Sequence, residues 1–459
     1  MPRAIEGVRQ MEQIKENKMG TNPVFWLIIS MSLPAIFSML IQSMYNIVDS
    51  IFVAKIGEDA LAAVSLASPV QFLLIAFGVG TGVGINSLIS RRLGEKNREA
   101  ADSAATHGLF LAVVTWAVFA VLGLVAVRPF FALFHPTEQV MGLGIAYTQI
   151  VMVFSMGVFV QIICERMLQA TGNMIYPMIF QLMGAVINII LDPILIFGLL
   201  GFPKLGVAGA AIATVLGQII ACIFSLYIVL TKDHEVSIQL RGFRPQWEII
   251  KQIYVVGAPS IVMQSVGSFL LMAINGILIG FSQAAVSVMG VYQKLQSFVF
   301  MPVFGLNNGV MPIMGYNFGA RKKERLLSAL KIGGLLALGI MFLGLLIFWI
   351  FPRELLMIFS ATLEMLEIGI PALRTISLCF VPAALGIMVS TFFQGVGNGK
   401  YSLYISMLRQ VVIILPVAYL FSKIGLSWVW WAYPIAEGVS LIASLLLFLK
   451  LYRAKIADL

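Results

Sequence analysis

Apolar segments long enough to cross a lipid bilayer as helices recur along almost the whole chain. One crossing takes about 20 apolar residues. The 459 residues are 60% hydrophobic and only 11% charged, whereas soluble domains are about 25% charged. This composition excludes an ordinary soluble enzyme and predicts an all-α polytopic membrane protein. We place twelve transmembrane helices near residues 24–52, 59–90, 104–127, 143–165, 174–199, 206–230, 250–281, 284–314, 328–351, 366–391, 403–422 and 427–449.

Basic residues are distributed unevenly between the two sides of these predicted helices. Lys and Arg cluster near residues 91–98, 321–325 and 450–455, whereas the opposite loops carry isolated cations such as Lys55 and Arg353. Because cytoplasmic loops carry the excess of Lys and Arg, we predict a multi-pass protein of the cell membrane with both termini in the cytoplasm. The same loops explain the net charge of +9. They lack interleaved aromatic residues, so no nucleic-acid partner is expected.

An internal repeat relates the two halves of the chain at a constant offset of 225 residues. The matched pairs include Pro34 with Pro259, Ser43 with Ser268, Gly80 with Gly305, Gly84 with Gly309, Arg128 with Arg353 and Gly172 with Gly397. Each half holds six predicted helices, so both halves insert in the same orientation. Parallel repeats with a site at their interface are a transporter architecture.

The repeat and the charge pattern together predict five segments. The cytoplasmic N-terminal segment covers residues 1–23, and the N-terminal six-helix lobe covers residues 24–230. A charged cytoplasmic linker at 231–249 leads to the C-terminal six-helix lobe at 250–449 and the cytoplasmic tail at 450–459. We therefore predict two pseudo-symmetric lobes related by an axis along the membrane normal.

Acidic side chains within the predicted helices are the first functional candidates, because an ionised carboxylate at bilayer depth is costly. Gln42, Tyr45, Asn46 and Asp49 are spaced by three, one and three residues on the first helix. This spacing predicts one polar stripe along that helix. The alternative is that Asp49 lies near the outer surface and is simply solvated.

The fifth and sixth predicted helices carry a second group of polar residues. Asn188 and Asp192 are four residues apart, as are Thr214 and Gln218, so each pair lies on one helical face. A structural contact between helices is the alternative interpretation. The predicted ion-coupling residues are Asp49, Asn46, Tyr45, Asn188, Asp192 and Thr214, and Gln42 and Gln218 are predicted to line an adjoining substrate cavity.

Other polar residues in the predicted helices have less definite roles. Glu165 and Arg166 are expected to snorkel or anchor at the cytoplasmic end of the fourth helix. Lys294 and Arg409 either line a cavity in the second lobe or balance the charge of Glu437. Residues predicted to line a substrate cavity in that lobe are Gln264, Asn275, Tyr292 and Glu437.

Proline and glycine within the predicted helices suggest a hinge and a packing surface. Pro34, with Pro259 at its repeat position, is predicted to be a hinge, the alternative being a tolerated irregularity. The alternate glycines from Gly78 to Gly84 lie within a helix, so we interpret them as a site of close helix packing.

Enzyme and metal-site patterns are lacking in the sequence. The three histidines are far apart, and no Walker lysine motif occurs, so ATP hydrolysis is not the energy source. The three cysteines lie in apolar stretches and predict no disulfide. We therefore expect no metal and no cofactor other than a coupling ion.

These residues and motifs give the chain a resemblance to the multidrug and toxic compound extrusion (MATE) family, in particular to its MepA-like bacterial branch. The residues that carry the resemblance are Pro34, Gln42, Tyr45, Asn46, Asp49, Asn188 and Asp192, the loops at 91–98 and 319–325, and the paired motifs at 169–173 and 394–398. The resemblance implies a V-shaped pair of six-helix lobes that exports cationic or amphipathic compounds in exchange for H⁺ or Na⁺. Sodium-coupled members carry acids in the C-terminal lobe, but the positions 225 after Asp49 and Asp192 are Ile274 and Val417.

The predicted function is secondary active export of cationic or amphipathic drugs by a monomer in the lipid bilayer, coupled to H⁺ or Na⁺. In the predicted cycle, protonation changes the hydrogen bonds among Asn46, Asp49, Asn188 and Asp192, which bends the first helix at Pro34.

Two other functions were weighed against export. A flippase for lipid-linked oligosaccharides is expected to line its cavity with several cations, but away from the ends of the predicted helices the only cations are Lys294, Arg374 and Arg409. A polytopic membrane enzyme is disfavoured because the sequence has no paired His/Asp or metal site.

Overall fold

The computed structural model of the chain describes residues 17–232 and 234–459. Most of the predicted segment 1–23, and Asp233 of the linker, lie outside these residues. The described part is almost entirely helical and contains no β-strand. Its twelve apolar spans are α1 (Val24–Ala54), α2 (Glu58–Gly94), α3 (Arg98–Val125), α4 (Glu138–Val153 and Met156–Ala170), α5 (Ile175–Phe197), α6 (Val207–Thr231), α7 (Trp247–Leu278), α8 (Gln283–Gly319), α9 (Lys323–Ile350), α10 (Leu363–Ser377 and Phe380–Gly395), α11 (Gly399–Ser422) and α12 (Leu426–Ile456).

The prediction of twelve membrane-spanning helices in two six-helix lobes is confirmed. Each predicted helix overlaps one of these spans, although most of the observed helices are longer. Two of the spans, α4 and α10, are bent pairs with angles of 45° and 44°, where continuous helices were predicted.

The bend in α4 of the N-terminal lobe and the bend in α10 of the C-terminal lobe share one structural feature. In α4, Trp116 Nε1 of α3 donates to the Val153 carbonyl at 2.8 Å, just before the bend. In α10, Trp349 Nε1 of α9 donates to the Arg374 carbonyl at 3.1 Å. The last carbonyls of a helix lack partners within that helix. A tryptophan from the preceding span supplies one in each lobe.

The first helix of each half packs partly in the other half. Near its start, α1 buries Leu27 in the core of the C-terminal lobe, and near its end it buries Val53 in the N-terminal core. Similarly, α7 buries Ile253 in the N-terminal core and then Ile274 in the C-terminal core. The crossing segments between these residues contain Pro34 and Pro259.

Glycines of α2 and α8 allow these crossings at close range. A Cβ added to Gly80 would lie 2.7 Å from the backbone nitrogen of Ile261 on α7. At the repeat positions, a Cβ on Gly305 would lie 2.7 Å from the backbone nitrogen of Ile36 on α1. Both contacts are too short for any residue but glycine. The predicted role of the glycine run in close helix packing is confirmed.

A short helical segment, Lys18–Thr21, joins the two lobes beside the basic loops. Asn17 Nδ2 donates to the Thr171 carbonyl of the N-terminal lobe at 3.0 Å. The carbonyl of Met19, whose side chain is fully buried, accepts from Asn317 Nδ2 of the C-terminal lobe at 3.0 Å. The lobes are therefore held together at the end that the charge pattern predicts to be cytoplasmic.

Candidate functional site

A polar cluster lies in the N-terminal lobe where α5 and α6 meet. Asn188 is buried on α5, and its amide is oriented here so that both of its ends are satisfied. In that orientation its nitrogen donates to Asp192 Oδ2 at 2.8 Å, and its oxygen accepts from the hydroxyl of Thr214 at 3.1 Å and the backbone nitrogen of Thr214 at 3.0 Å. The structure thus brings together three of the predicted ion-coupling residues.

The carboxyl group of Asp49, late in α1, lies within hydrogen-bonding distance of that of Asp192. Asp192 is 0% exposed, and Oδ1 of each acid is buried without a hydrogen-bond partner. No ion pair found among residues 17–232 and 234–459 includes either acid. Two adjacent carboxylates repel unless a proton or a cation lies between them. The pair is therefore suited to hold one cation or one proton.

Two tyrosines complete the wall around these acids. The Tyr45 hydroxyl lies close to the side chain of Thr214. Gln71 Nε2 of α2 donates to the Tyr147 hydroxyl at 2.6 Å, and Tyr147 is near enough to interact electrostatically with both acids. Neither Gln71 nor Tyr147 was among the predicted site residues. Their only signal was a polar group within an apolar span.

Asn46 lies apart from this cluster. Tyr45 and Asp49 are four residues apart and share one face of α1, whereas Asn46 is rotated by about 100° from Tyr45. Its side chain is exposed. Its predicted hydrogen bonds to Asp49, Asn188 and Asp192 are not among those that the described residues make.

A cavity of about 170 Å³ adjoins the cluster inside the N-terminal lobe. Gln42 and Gln218, the two residues predicted to line a substrate cavity in this lobe, both line it. Its lining residues include Met39, Gln42, Tyr45, Gln161, Glu165, Arg166, Gln181, Asn188, Thr214 and Gln218.

The expectation that Glu165 and Arg166 snorkel or anchor at the membrane surface is wrong. They are only 4% and 8% exposed. Glu165 accepts from Gln161 Nε2 at 3.0 Å and from Gln181 Nε2 at 2.9 Å. Arg166 donates to Asn308 Oδ1 of the other lobe at 2.8 Å. Distance from the end of a helix does not show which face of that helix is covered, and here the covered face carries both charges.

The C-terminal lobe contains a larger cavity of about 740 Å³. All four residues predicted to line a cavity in this lobe do line it, together with aromatic and amide side chains. The lining residues include Phe72, Gln264, Asn275, Tyr292, Gln293, Gln296, Phe300, Phe304, Cys379, Arg409, Gln410, Tyr433 and Glu437.

The charged residues of this lobe separate into two places. Arg409 Nη1 and Glu437 Oε1 form an ion pair at 3.0 Å in the cavity wall. Arg409 therefore both lines the cavity and balances Glu437. Lys294 instead lies over the ring of Phe359, 5.6 Å from its centre. Arg409 belongs to a π-helical turn, Leu408–Ile414, a local irregularity that is frequent at functional sites.

Pro34 lies inside α1, and the helix continues on both sides of it. Proline lacks the backbone N–H that would reach the Ser30 carbonyl. Ser38 Oγ donates to the Pro34 carbonyl at 3.0 Å. The helix around Pro34 therefore lacks one backbone hydrogen bond and has one additional side-chain hydrogen bond. The predicted hinge therefore lies in the segment of α1 that crosses between the lobes.

The chain is similar along most of its length to two bacterial transport proteins. A protein named FAD transporter from Shewanella oneidensis is 26% identical over 90% of this chain and 92% of its own length. The multidrug export protein MepA of Staphylococcus saprophyticus is also 26% identical, over 92% of this chain and 93% of its own length.

A solved structure, the outward-facing conformation of a multidrug resistance MATE family transporter of the MOP superfamily, is 29% identical and superposes with a TM-score of 0.90. The similarity covers 97% of this chain and 99% of that one. The MatE family profile matches residues 34–194 and 259–420, one match in each repeat. With both lobes matched, the chain belongs to the MatE family of multidrug efflux transporters.

Proposed function

We propose that this protein exports cationic or amphipathic drugs by antiport with H⁺ or Na⁺, and that Asp49 and Asp192 form the coupling site. The observation that carries the proposal is the contact of the buried Asp192 carboxyl with the half-buried Asp49 carboxyl, neither of which forms an ion pair with a basic residue in the described part of the chain. A buried charge is normally paired or neutralised. In this proposal, the coupling ion binds to the acid pair and is released from it in each transport cycle.

Either coupling ion suits the oxygen atoms at the site. One proton shared by Asp49 and Asp192 converts their repulsion into a hydrogen bond. A sodium ion would instead take carboxylate oxygens together with the oxygens of Asn188 and Thr214, all of which are hard ligands. The membrane potential contributes about 2.3 kcal/mol per charge per 100 mV to the inward movement of either ion.

Drug release follows from the position of the coupling site beside the cavity of the N-terminal lobe. That cavity measures about 170 Å³, smaller than the pockets of about 300–1,000 Å³ that hold drug-sized ligands, so in this cycle it is the contracted cavity left after release. Tyr45 belongs both to the cavity wall and to the polar cluster. Ion binding shifts the later half of α1 about the hinge at Pro34, and the shift contracts the cavity and expels the drug.

The charge of the site favours cations over other transported classes. Two acids with no paired base attract a cationic drug and repel an anionic one such as FAD, the compound named for one relative. A flippase for lipid-linked oligosaccharides requires several cations for the diphosphate. The large cavity holds one, Arg409, which is already paired with Glu437.

The proposed sidedness puts both termini in the cytoplasm and opens the cavities outward. The three native cysteines are buried, so labelling of an introduced cysteine can be measured without a contribution from them. Glu99→Cys and Glu324→Cys, which are repeat-related and exposed, should resist an impermeant thiol reagent added outside cells. The control Lys204→Cys, in an opposite loop, should react. Rapid labelling of Glu99→Cys and Glu324→Cys would contradict the proposed topology.

The experiment that tests antiport uses purified protein in lipid vesicles loaded with ethidium, a cationic dye. A pH gradient and a sodium gradient are imposed separately, and dye movement against its own gradient is followed by fluorescence. We expect one of the two gradients to drive uphill movement. The proposal is wrong if neither gradient does so in vesicles where the protein is shown to bind ethidium.

A further inference from the structure

We propose that the cavity of the C-terminal lobe is a second binding site, specific for zwitterionic aromatic compounds, in which Arg409 takes the anionic group and Glu437 the cationic group. The proposal rests on the proposed function only in treating the bound compound as an exported one. Binding itself requires no ion gradient, so the two proposals can fail separately.

The size and the walls of the cavity fit an aromatic compound of drug size. Its volume of about 740 Å³ lies within the range of small-molecule pockets, about 300–1,000 Å³. Phe72 of the N-terminal lobe and Phe300 and Phe304 of α8 form aromatic parts of the wall. A ring system can stack against these side chains while its polar groups reach the charged residues.

The ion pair in the wall is incompletely satisfied. A guanidinium has five N–H donors, and the one hydrogen bond found for the Arg409 side chain among the described residues is that to Glu437. The Arg409 and Glu437 side chains are 28% and 13% exposed, and both face the cavity. Arg409 therefore keeps donors for an anionic group of a ligand.

Buried polar atoms around the cavity also lack partners. The side chain of Gln410 is 6% exposed, and its Nε2 donates to Ser406 Oγ at 2.8 Å, which leaves Oε1 without a hydrogen bond. Asn275 Oδ1 and the Tyr292 hydroxyl are likewise buried and unbonded. Buried polar groups are normally hydrogen-bonded. These atoms indicate a ligand that offers N–H donors as well as an anion.

Electrostatics selects a ligand that carries both charges. A simple cation that binds Glu437 would leave Arg409 uncompensated, and a simple anion that binds Arg409 would leave Glu437 uncompensated. Separating a partly buried ion pair in this way is costly. A zwitterion inserts its anion at Arg409 and its cation at Glu437, so every charge keeps a partner.

Three dyes with the same xanthene ring system separate these possibilities. Rhodamine B is a zwitterion, its ethyl ester is a cation, and fluorescein is an anion. Binding is measured by fluorescence anisotropy with the full-length protein in detergent micelles. The wild-type protein should bind rhodamine B more tightly than fluorescein. Equal or tighter binding of fluorescein would overturn the proposal in favour of an anion site.

The deciding variant is the double substitution Arg409→Gln/Glu437→Gln, because it removes both charges and leaves neither one unpaired in the interior. The ratio of rhodamine B affinity to ethyl ester affinity should fall about tenfold or more, since hydrogen bonds to charged groups are lost. Arg409→Gln alone should lower the ratio in the same direction. Lys294→Gln, which removes a charge on α8 outside the cavity, should leave the ratio unchanged. An unchanged ratio in a double variant that still unfolds cooperatively would overturn the proposal.

Discussion

The two lobes share one packing plan but carry different charges. In the N-terminal lobe, Asp49 and Asp192 lie together, and neither forms an ion pair within residues 17–232 and 234–459. The positions that correspond to them in the other lobe are Ile274 and Val417, and Ile274 is buried in an apolar core. The C-terminal lobe instead places an acid beside a base in its cavity wall. The N-terminal lobe is suited to binding a mobile ion, whereas the acid and the base in the C-terminal cavity balance each other's charge.

This difference shows which properties a repeated fold must keep. Backbone contacts between the lobes recur residue for residue, as Gly80 with Ile261 and Gly305 with Ile36. Such contacts tolerate almost no change of volume, because interiors are close-packed. Several polar residues inside each lobe line or adjoin a cavity, where a change of side chain is less restricted. Packing is therefore retained in both copies, whereas the chemistry of the cavities differs.

The largest expected effect tests whether ion coupling belongs to the N-terminal lobe alone. Asp49→Asn and Asp192→Asn keep the shape of the side chain but cannot ionise. Each should therefore reduce uphill ethidium efflux to the level of dye-loaded vesicles without protein. Both variants should still fold, since a neutral amide replaces a costly buried charge. Efflux is measured under the gradient that drives the wild-type protein.

The matched control for these substitutions is Asp59→Asn, which makes the same chemical change at an exposed position and should leave efflux intact. Full gradient-driven efflux in both Asp49→Asn and Asp192→Asn would mean that these acids are structural, and the contrast between the lobes would lose its functional meaning.

The next effect tests whether the packing is equivalent in the two lobes. A Cβ on Gly84 would lie 3.0 Å from Gly257 N, and one on Gly309 would lie 2.9 Å from Ser32 N. Gly84→Ala and Gly309→Ala should each cost about 1–3 kcal/mol of folding free energy through overpacking. Gly276→Ala, with no atom within 4 Å of the added Cβ, is the control. Thermal unfolding in detergent measures all three, and a loss in only one of the two repeat-related variants would break the symmetry.

A smaller effect tests the role of the C-terminal cavity. Ser268→Ala and Asn275→Ala change residues that line this cavity and lie outside the coupling cluster. Drug affinities should change by about three- to tenfold, the effect of one hydrogen bond. Uphill transport should still depend on the ion gradient. Loss of that dependence in both variants, with drug binding unchanged, would place coupling in the C-terminal lobe as well.

The smallest effect tests the two bends. Trp116→Phe and Trp349→Phe each remove one hydrogen bond to a carbonyl near a bend. The expected cost is about 0.5–1.5 kcal/mol in each lobe, measured as the change in thermal unfolding against the wild-type protein. A markedly larger loss in one lobe would show that its bend depends on this bond more than the other does.

Much of the architecture was predictable because it follows from local periodicity and composition. All twelve spans and the repeat came from apolar length and a constant offset. Helical spacing was enough to place Asn188 and Asp192 on one face of α5. The bends in α4 and α10 were not predictable from local sequence, since the side chains that bond to carbonyls beside them, Trp116 and Trp349, come from neighbouring helices.

The candidate site was only partly predictable, because the sequence shows which residues are polar but not which helices bring them into contact. Asp49 was identified by the cost of a charge at bilayer depth, without any indication that it meets Asp192. Gln71 and Tyr147 were missed because their contact joins α2 to α4. Glu165 was assigned to the surface because its position near a helix end does not report which neighbours cover it.

The sequence by itself determined that this chain crosses a membrane as two related sets of helices, because hydrocarbon admits a spanning segment only when its backbone is satisfied internally. It also identified Asp49 and Asp192 as acids within the spans, because a charge at bilayer depth is costly. Only the tertiary structure decided that Asp49 of α1 meets Asp192 of α5, which is far along the chain, and that Arg409 rather than Lys294 pairs with Glu437. The energy of a buried charge depends on its nearest partner, and that partner is chosen by packing between helices.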